Sequence, residues 1–151
     1  MMSPPGSFEA WLSPAQGFHP TFKTTSKLND AALLKECSLN LHFLLPATVF
    51  ADRYELQNYA PRLQFEYRGP SNLELPVFAL KAEEGAPELL VSVDLGGEGD
   101  DGPIEVDVPL HLRYGPVSAL DSERHEAVEF PYPEAFLACP RTAGALQVVC
   151  Y

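Results

Sequence analysis

The chain has 151 residues, 46% of them hydrophobic, and a formal net charge of −11 at pH 7. This length and hydrophobic content suffice for one domain with a buried core and exclude a wholly disordered chain. The negative charge, with no cluster of Lys or Arg to offset it, excludes a protein that binds nucleic acid.

The start of the chain differs in composition from the rest. Residues 1–16 are rich in Pro, Ser and Gly, and we predict that they form a disordered N-terminal tail or linker. They contain neither the basic nor the apolar segment of a signal peptide. No later stretch approaches the roughly 18 uninterrupted apolar residues that cross a bilayer, so composition alone predicts a soluble chain.

Short segments in which apolar and polar residues alternate dominate the remaining sequence, a pattern typical of half-buried strands. In the clearest of them, Leu39, Leu41 and Phe43 share one face. The 15 Pro and 10 Gly residues fit strands that are separated by frequent turns. The predicted strands are Phe18–Thr25, Cys37–Leu45, Arg62–Tyr67, Leu73–Leu80, Glu88–Asp94, Ile104–Tyr114 and Ala135–Cys139.

Two connections between these strands have recognisable patterns. The polar segment Ala51–Tyr59 predicts a single helical turn or an irregular connector. Asp94–Pro103 consists almost entirely of turn formers, so we expect its flanking strands to form a hairpin with a long acidic loop. Without a convincing amphipathic helix, the pattern predicts an all-β fold, an antiparallel β-sandwich of about seven or eight strands.

The strand Ile104–Tyr114 carries the most distinctive polar residues. Alternation places Leu110, Leu112 and Tyr114 on its buried face, with His111 and Arg113 on the opposite, polar face. Arg113 could there serve recognition of another molecule. It could equally pair with a neighbouring carboxylate such as Asp107 or Glu105, and the sequence does not decide between these two roles.

Metal sites are weakly supported. The four histidines, His19, His42, His111 and His125, have no zinc-ligand spacing, so we read them as solvent-facing residues. Residues 94–105 match part of a twelve-residue calcium loop, but its third position is Gly96, which has no side-chain oxygen. We therefore favour a solvated loop.

Catalytic patterns are equally weak. Glu105 and Asp107 lie two residues apart on one strand, which suits the carboxylate spacing of some glycosidases. Exposed carboxylates on a polar strand face are the simpler interpretation. The sequence has no phosphate-binding loop and no nucleophile motif. We therefore expect neither an active site nor a cofactor.

Four blocks of the sequence together resemble one known family. The strand "VPLHLRYGPVS" at Val108–Ser118 resembles the most characteristic strand of the PIG-X family. "LLPATVFADRYEL" at Leu44–Leu56, "GFHPTF" at Gly17–Phe22 and "FLACP" at Phe136–Pro140 are similar to three further family blocks, all in the family's order.

The resemblance implies a PIG-X-like β-sandwich domain over residues 17–142, followed by a C-terminal tail at 143–151. It also implies a non-catalytic accessory subunit of glycosylphosphatidylinositol (GPI) mannosyltransferase I, on the lumenal side of the endoplasmic reticulum membrane. Its partner would be the catalytic PIG-M subunit. Family members are anchored by one transmembrane helix near the C-terminus, and no such stretch follows "FLACP" here. His111, Arg113 and Tyr114 are then candidate partner-binding residues.

The same resemblance bears on the three cysteines. Cys37 and Cys139 lie near or within family-like blocks, whereas Cys150 lies beyond them. Because disulfides form readily in an oxidising lumen, we expect a Cys37–Cys139 disulfide; two buried free thiols are the alternative.

Two other functions stay open. One is a carbohydrate- or glycolipid-binding β-sandwich, which would bind mannosides or the anchor precursor. The other is a glycosidase whose activity depends on Glu105 or Asp107.

Overall fold

The computed structural model describes residues 6–29, 37–59, 62–70, 75–80, 86–95, 102–114, 127–140 and 146–150. They contain the strands β1 Gly6–Ser13, β2 Thr21–Leu28, β3 Ser38–Leu44, β4 Val49–Phe50, β5 Leu63–Arg68, β6 Glu88–Asp94, β7 Ile104–Pro109, β8 His111–Leu112, β9 Glu134–Pro140 and β10 Leu146–Cys150. A helical turn, α1, spans Arg53–Leu56, and 3-10 turns span Gln57–Tyr59 and Val77–Ala79. Within these ranges, no helix has the length and apolar character to cross a bilayer.

The strands form two main antiparallel sheets and one small one. The first sheet has the order β1-β2-β7, the second β10-β9-β3-β6-β5, and a third pairs β4 with β8. Side chains of the two main sheets meet in one core, where the Phe22 ring of β2 lies 5.2 Å from the Phe43 ring of β3. The predicted all-β sandwich is confirmed.

Alternating side chains build this core. Ile104, Val106 and Val108 of β7 are buried, while the residues between them face outward. β3 and β6 repeat the pattern in the second sheet. Burying one such aliphatic side chain stabilises the fold by about 1.5–3 kcal/mol, so the period of two that identifies the strands also accounts for their packing.

Both ends of the chain contain strands where we expected tails. β1 pairs with β2 along its whole length, from Gly6 opposite Leu28 to Ser13 opposite Thr21. Phe8, Ala10 and Leu12 pack against the core, because a short alternating pattern suffices when a partner strand completes its backbone hydrogen bonds. β10 pairs with β9 in the same way. The tail predictions are wrong for these strands.

The connection after β6 also differs from the prediction. β6 pairs with β3 on one side and β5 on the other, while β7 pairs with β2 in the opposite sheet. Both backbone edges of β6 are thus occupied, and the expected β6–β7 hairpin is wrong. Most of the acidic loop, including Gly96 and Asp101, lies outside the described residues, as do His125 and any calcium site there.

Two shorter segments have opposite outcomes. The strand predicted at Leu73–Leu80 is wrong where the chain is described, because Val77–Ala79 forms a 3-10 turn in which the Ala79 N–H donates to the Pro76 carbonyl. The predicted helical turn is confirmed as α1. Its N-cap is Asp52, whose carboxylate accepts a 2.9 Å hydrogen bond from the Tyr54 N–H.

The disulfide expected from the sequence is present. Cys37 and Cys139 are bonded, with their Cα atoms 4.2 Å apart. Cys37 precedes β3 directly, and the register that places Ser38 opposite Ala138 brings the two cysteines together. The bond therefore joins neighbouring strands of the five-stranded sheet.

Candidate partner-binding site

The most distinctive strand of the sequence changes partners at its end. β7 pairs with β2 as far as Thr21 opposite Pro109, and β8 then pairs with β4. On the other side of β8, the Leu110 N–H donates to the Pro20 carbonyl and the Leu112 N–H to the Phe18 carbonyl, both at 2.9 Å. β8 is thus held between β4 and residues 18–20.

Arg113 lies in the interior, with only 5% of its surface exposed. Its Cζ atom stands 4.6 Å from the centre of the Phe50 ring, and its Nη1 donates a 2.9 Å hydrogen bond to the Leu75 carbonyl. The prediction that Arg113 faces outward is wrong, because the alternation of buried and exposed residues ends where β8 is covered on both sides. In this position the guanidinium is covered by its own chain, and a partner-binding role for Arg113 stays a prediction.

Arg113 belongs to a group of polar residues under the same end of the sandwich. Burial raises the pKa of the Tyr67 hydroxyl, and the positive charges of Arg113 and Arg53 and the backbone of Ala51 oppose part of this effect. The Arg53 guanidinium lies over the Tyr67 ring and donates to the Tyr67 carbonyl at 3.2 Å. The phenol stays neutral at ordinary pH.

His111 contacts one residue through each ring nitrogen. Nε2 lies 2.6 Å from Oε2 of Glu55 in α1, and Nδ1 lies 2.9 Å from Nδ1 of His19. The ring stacks on Phe50, with the two planes 15° apart. Because an ionised carboxylate only accepts hydrogen bonds, Nε2 of His111 carries the proton in this contact.

Tyr114 and Phe18 form an exposed aromatic pair beside this chain of contacts. Their ring centroids are 5.0 Å apart, and 69% of Tyr114 and 48% of Phe18 are exposed. The prediction that Tyr114 shares the buried face is wrong, because the strand pattern ends with β8 at Leu112. Two adjacent exposed rings offer an apolar, rigid contact surface.

The site combines residues that the sequence keeps far apart. Phe18 and His19 come from the block at 17–22, Phe50 and Glu55 from the block at 44–56, and the remainder from the sequence block at 108–118. Sequence reasoning selected His111, Arg113 and Tyr114 and missed four residues of the site: Phe18, His19, Phe50 and Glu55. The one available signal was that all four lie within blocks that resemble the same family.

The candidate chemistry elsewhere has a structural explanation. Asp107 forms a 3.1 Å ion pair with Lys23 on β2, and Glu105 is exposed on the same outward face of β7. His42 lies between Glu88 and Glu134, at 3.4 and 3.8 Å. Across the part of the chain that the structure describes, no three His, Cys, Asp or Glu side chains are grouped to hold a metal ion.

A separate cleft of about 350 Å³ lies beside the edge strand β5. Arg53, Phe65, Glu66, Tyr67 and Arg68 line it. It combines two guanidinium groups, one carboxylate and two aromatic rings, a mixture that can contact hydroxyl groups and sugar faces. Sequence analysis did not anticipate this cleft.

Comparison with known proteins gives one consistent result. Residues 15–149 match the family described as PIG-X / PBN1. The chain is 31% identical over 145 residues to Protein PBN1 of Gibberella zeae and 30% identical over 145 residues to Protein pbn1 of Neurospora crassa, covering 91% of this chain and 28% of each relative. It is 30% identical over 146 residues to Protein pbn1 of Schizosaccharomyces pombe, covering 90% of this chain and 42% of the relative. The chain thus spans between about a quarter and two fifths of the length of these relatives.

Proposed function

This chain belongs to the PIG-X/PBN1 family, and we propose that it acts in GPI-anchor biosynthesis as a non-catalytic accessory subunit of GPI mannosyltransferase I. In this role it binds and stabilises a PIG-M-like catalytic subunit, which adds the first mannose to the anchor precursor. The domain works on the lumenal side of the endoplasmic reticulum membrane. An oxidising lumen agrees with the Cys37–Cys139 disulfide.

One observation carries the proposal: three separate family-like blocks converge on the surface around β8. A catalytic role would favour convergence on a cavity with reactive groups. Here the blocks converge instead on an exposed aromatic pair, Phe18 and Tyr114, supported from below by the buried Arg113. Exposed aromatic residues with little side-chain entropy to lose are typical of the central contacts of protein interfaces.

The residues of this surface have different roles in the proposal. Phe18 and Tyr114 contact the catalytic subunit directly. His111, which is partly exposed, lies at the edge of the contact, and both of its ring nitrogens are engaged within the chain, by Glu55 and His19. Arg113 fixes the position of β8 from the interior.

The test replaces each ring in cells whose own copy of the protein has been removed. Phe18→Ala and Tyr114→Ala, alone and together, are expected to reduce both co-purification with the PIG-M-like subunit and the amount of that subunit. The matched control is Tyr132→Ala, because Tyr132 is also exposed and contacts a second aromatic ring, Phe8, at 5.8 Å.

Equal results for the double variant and the control would refute the proposed surface. Unchanged levels of the catalytic subunit after complete removal of the protein would refute the accessory function itself. Circular dichroism of each purified variant separates loss of binding from loss of folding.

The cleft beside β5 favours one alternative, a carbohydrate- or glycolipid-binding domain. Its aromatic and guanidinium groups suit sugar hydroxyls or an anionic head group. Titration of the purified chain with mannosides or anchor precursor tests it, with Arg68→Ala as the variant that removes an exposed lining group. Binding that Arg68→Ala abolishes would establish this function, and absence of binding would exclude it.

A further inference from the structure

We propose that His19, His111 and Glu55 form a pH-sensitive clasp, which holds residues 18–20 against β8 and opens when both imidazole rings become protonated. The clasp is a property of the folded chain alone. It goes beyond the proposed accessory function and does not depend on it.

The first step of the argument concerns protons. Nε2 of His111 donates to the Glu55 carboxylate at 2.6 Å. Nδ1 of His111 faces Nδ1 of His19 at 2.9 Å, a hydrogen-bond distance between two nitrogen atoms. Such a contact needs one proton and one lone pair, so only one of the two Nδ1 atoms can carry a proton while it lasts.

The second step concerns the charges that face His111. Glu55 from α1 is the anion in contact with it, and His19 approaches from the segment before β2. Phe50 of β4 stacks on the imidazole and also contacts the Arg113 guanidinium, which is positive. The carboxylate of Glu55 balances the positive charge of one protonated imidazole ring. A second protonated ring adds an unbalanced positive charge beside the first ring and near Arg113.

The third step concerns what the contact holds. Two backbone hydrogen bonds hold residues 18–20 against the segment from Leu110 to Leu112. Their donors are the Leu110 and Leu112 N–H groups. His19 adds the side-chain link, and Phe18 rests against Tyr114. When both rings are protonated, the link is replaced by repulsion, and the Leu112 N–H bond to the Phe18 carbonyl opens more often.

Amide hydrogen exchange of the ¹⁵N-labelled chain measures this opening. We expect protection of the Leu112 amide, corrected for the intrinsic exchange rate at each pH, to fall as the pH is lowered until both rings are protonated. Two unit charges about 3 Å apart repel enough in water to change an equilibrium roughly tenfold, so a fall of about tenfold is expected.

Two variants separate the clasp from general acid sensitivity. His19→Gln keeps an amide that can donate to His111 but does not titrate, so the pH-dependent fall should disappear. His42→Gln is the matched control, because His42 also faces carboxylates on a different part of the surface. This control should retain the full effect.

Several outcomes would overturn the clasp. Protection of Leu112 that stays constant with pH in the unchanged chain contradicts it, and so does an equal fall in His19→Gln. ¹⁵N spectra that show both Nδ1 atoms protonated while the Leu112 amide is fully protected also contradict it. Each sample is measured with and without a chelator, and an effect that appears only without the chelator also contradicts the clasp, because it indicates a bridging metal ion.

Discussion

Replacement of Arg113 by Ala is predicted to destabilise the fold strongly. The substitution removes a charge-assisted hydrogen bond to the Leu75 carbonyl, of the kind that contributes about 1.5–3 kcal/mol. It also removes the contact of the guanidinium with the Phe50 ring, which contributes about 0.5–2 kcal/mol. Together these losses predict a decrease of about 2–5 kcal/mol in the free energy of unfolding.

Equilibrium denaturation in urea, followed by circular dichroism, measures this change. Arg113→Met should cost less than Arg113→Ala, because both remove the guanidinium but only Met refills the space of the aliphatic stem. Arg68→Ala is the control, because Arg68 is exposed on β5. Its effect should stay within about 0.5 kcal/mol.

The result also decides between two structural roles for Arg113. An exposed ion pair with Asp107 or Glu105 contributes at most about 1 kcal/mol. A decrease below that value for Arg113→Ala would refute the buried position and restore the outward orientation expected from strand alternation. A large decrease would attribute any loss of the proposed catalytic partner in this variant to misfolding.

Three further predictions concern other parts of the fold. The pKa of Tyr67 is raised in the folded state, so the stability that this shift contributes is complete below the pKa of an unfolded tyrosine, about 10, and is lost as the pH rises through the folded pKa. Tyr67→Phe should remove this alkaline loss of stability, as measured by denaturation across that pH range. Cys139→Ser should lower the free energy of unfolding by up to about 4–5 kcal/mol, because the disulfide closes a loop with a sequence separation of 102; an equal stability with and without reductant would contradict this. Gly69→Ala should destabilise by about 1 kcal/mol or more, since Gly69 has φ of 144° and an added Cβ would lie 3.0 Å from Pro87; an unchanged urea midpoint would contradict it.

Local sequence patterns located most of the strands. β6 has the predicted bounds, and β3, β5 and β9 each lie within about one residue of theirs. This success has a simple cause: residues that face the core must be apolar, and a strand brings every second residue to that face. The single turn at α1 was also predictable, because Asp52 and the polar residues after it suit a capped helical turn.

Pairing between strands was harder to predict than the strands themselves. The turn formers between β6 and β7 suit a hairpin, yet each strand pairs in a different sheet. A turn-rich segment shows that the chain changes direction but does not show which sheet the next strand joins. The same limit applies to β1, whose short alternating pattern becomes informative only when β2 is available as its partner.

The sequence by itself determined the fold class, the family and the residue types of the candidate site. Only the tertiary structure decided the arrangement of that site: Arg113 points inward, Tyr114 points outward, and Phe18, His19 and Glu55 join them from distant positions. The physical reason lies in β8. Alternation along a strand predicts which residues share a face, but the burial of each face depends on the neighbours that cover it. At β8 those neighbours are β4 and residues 18–20, which reach it through contacts remote in sequence.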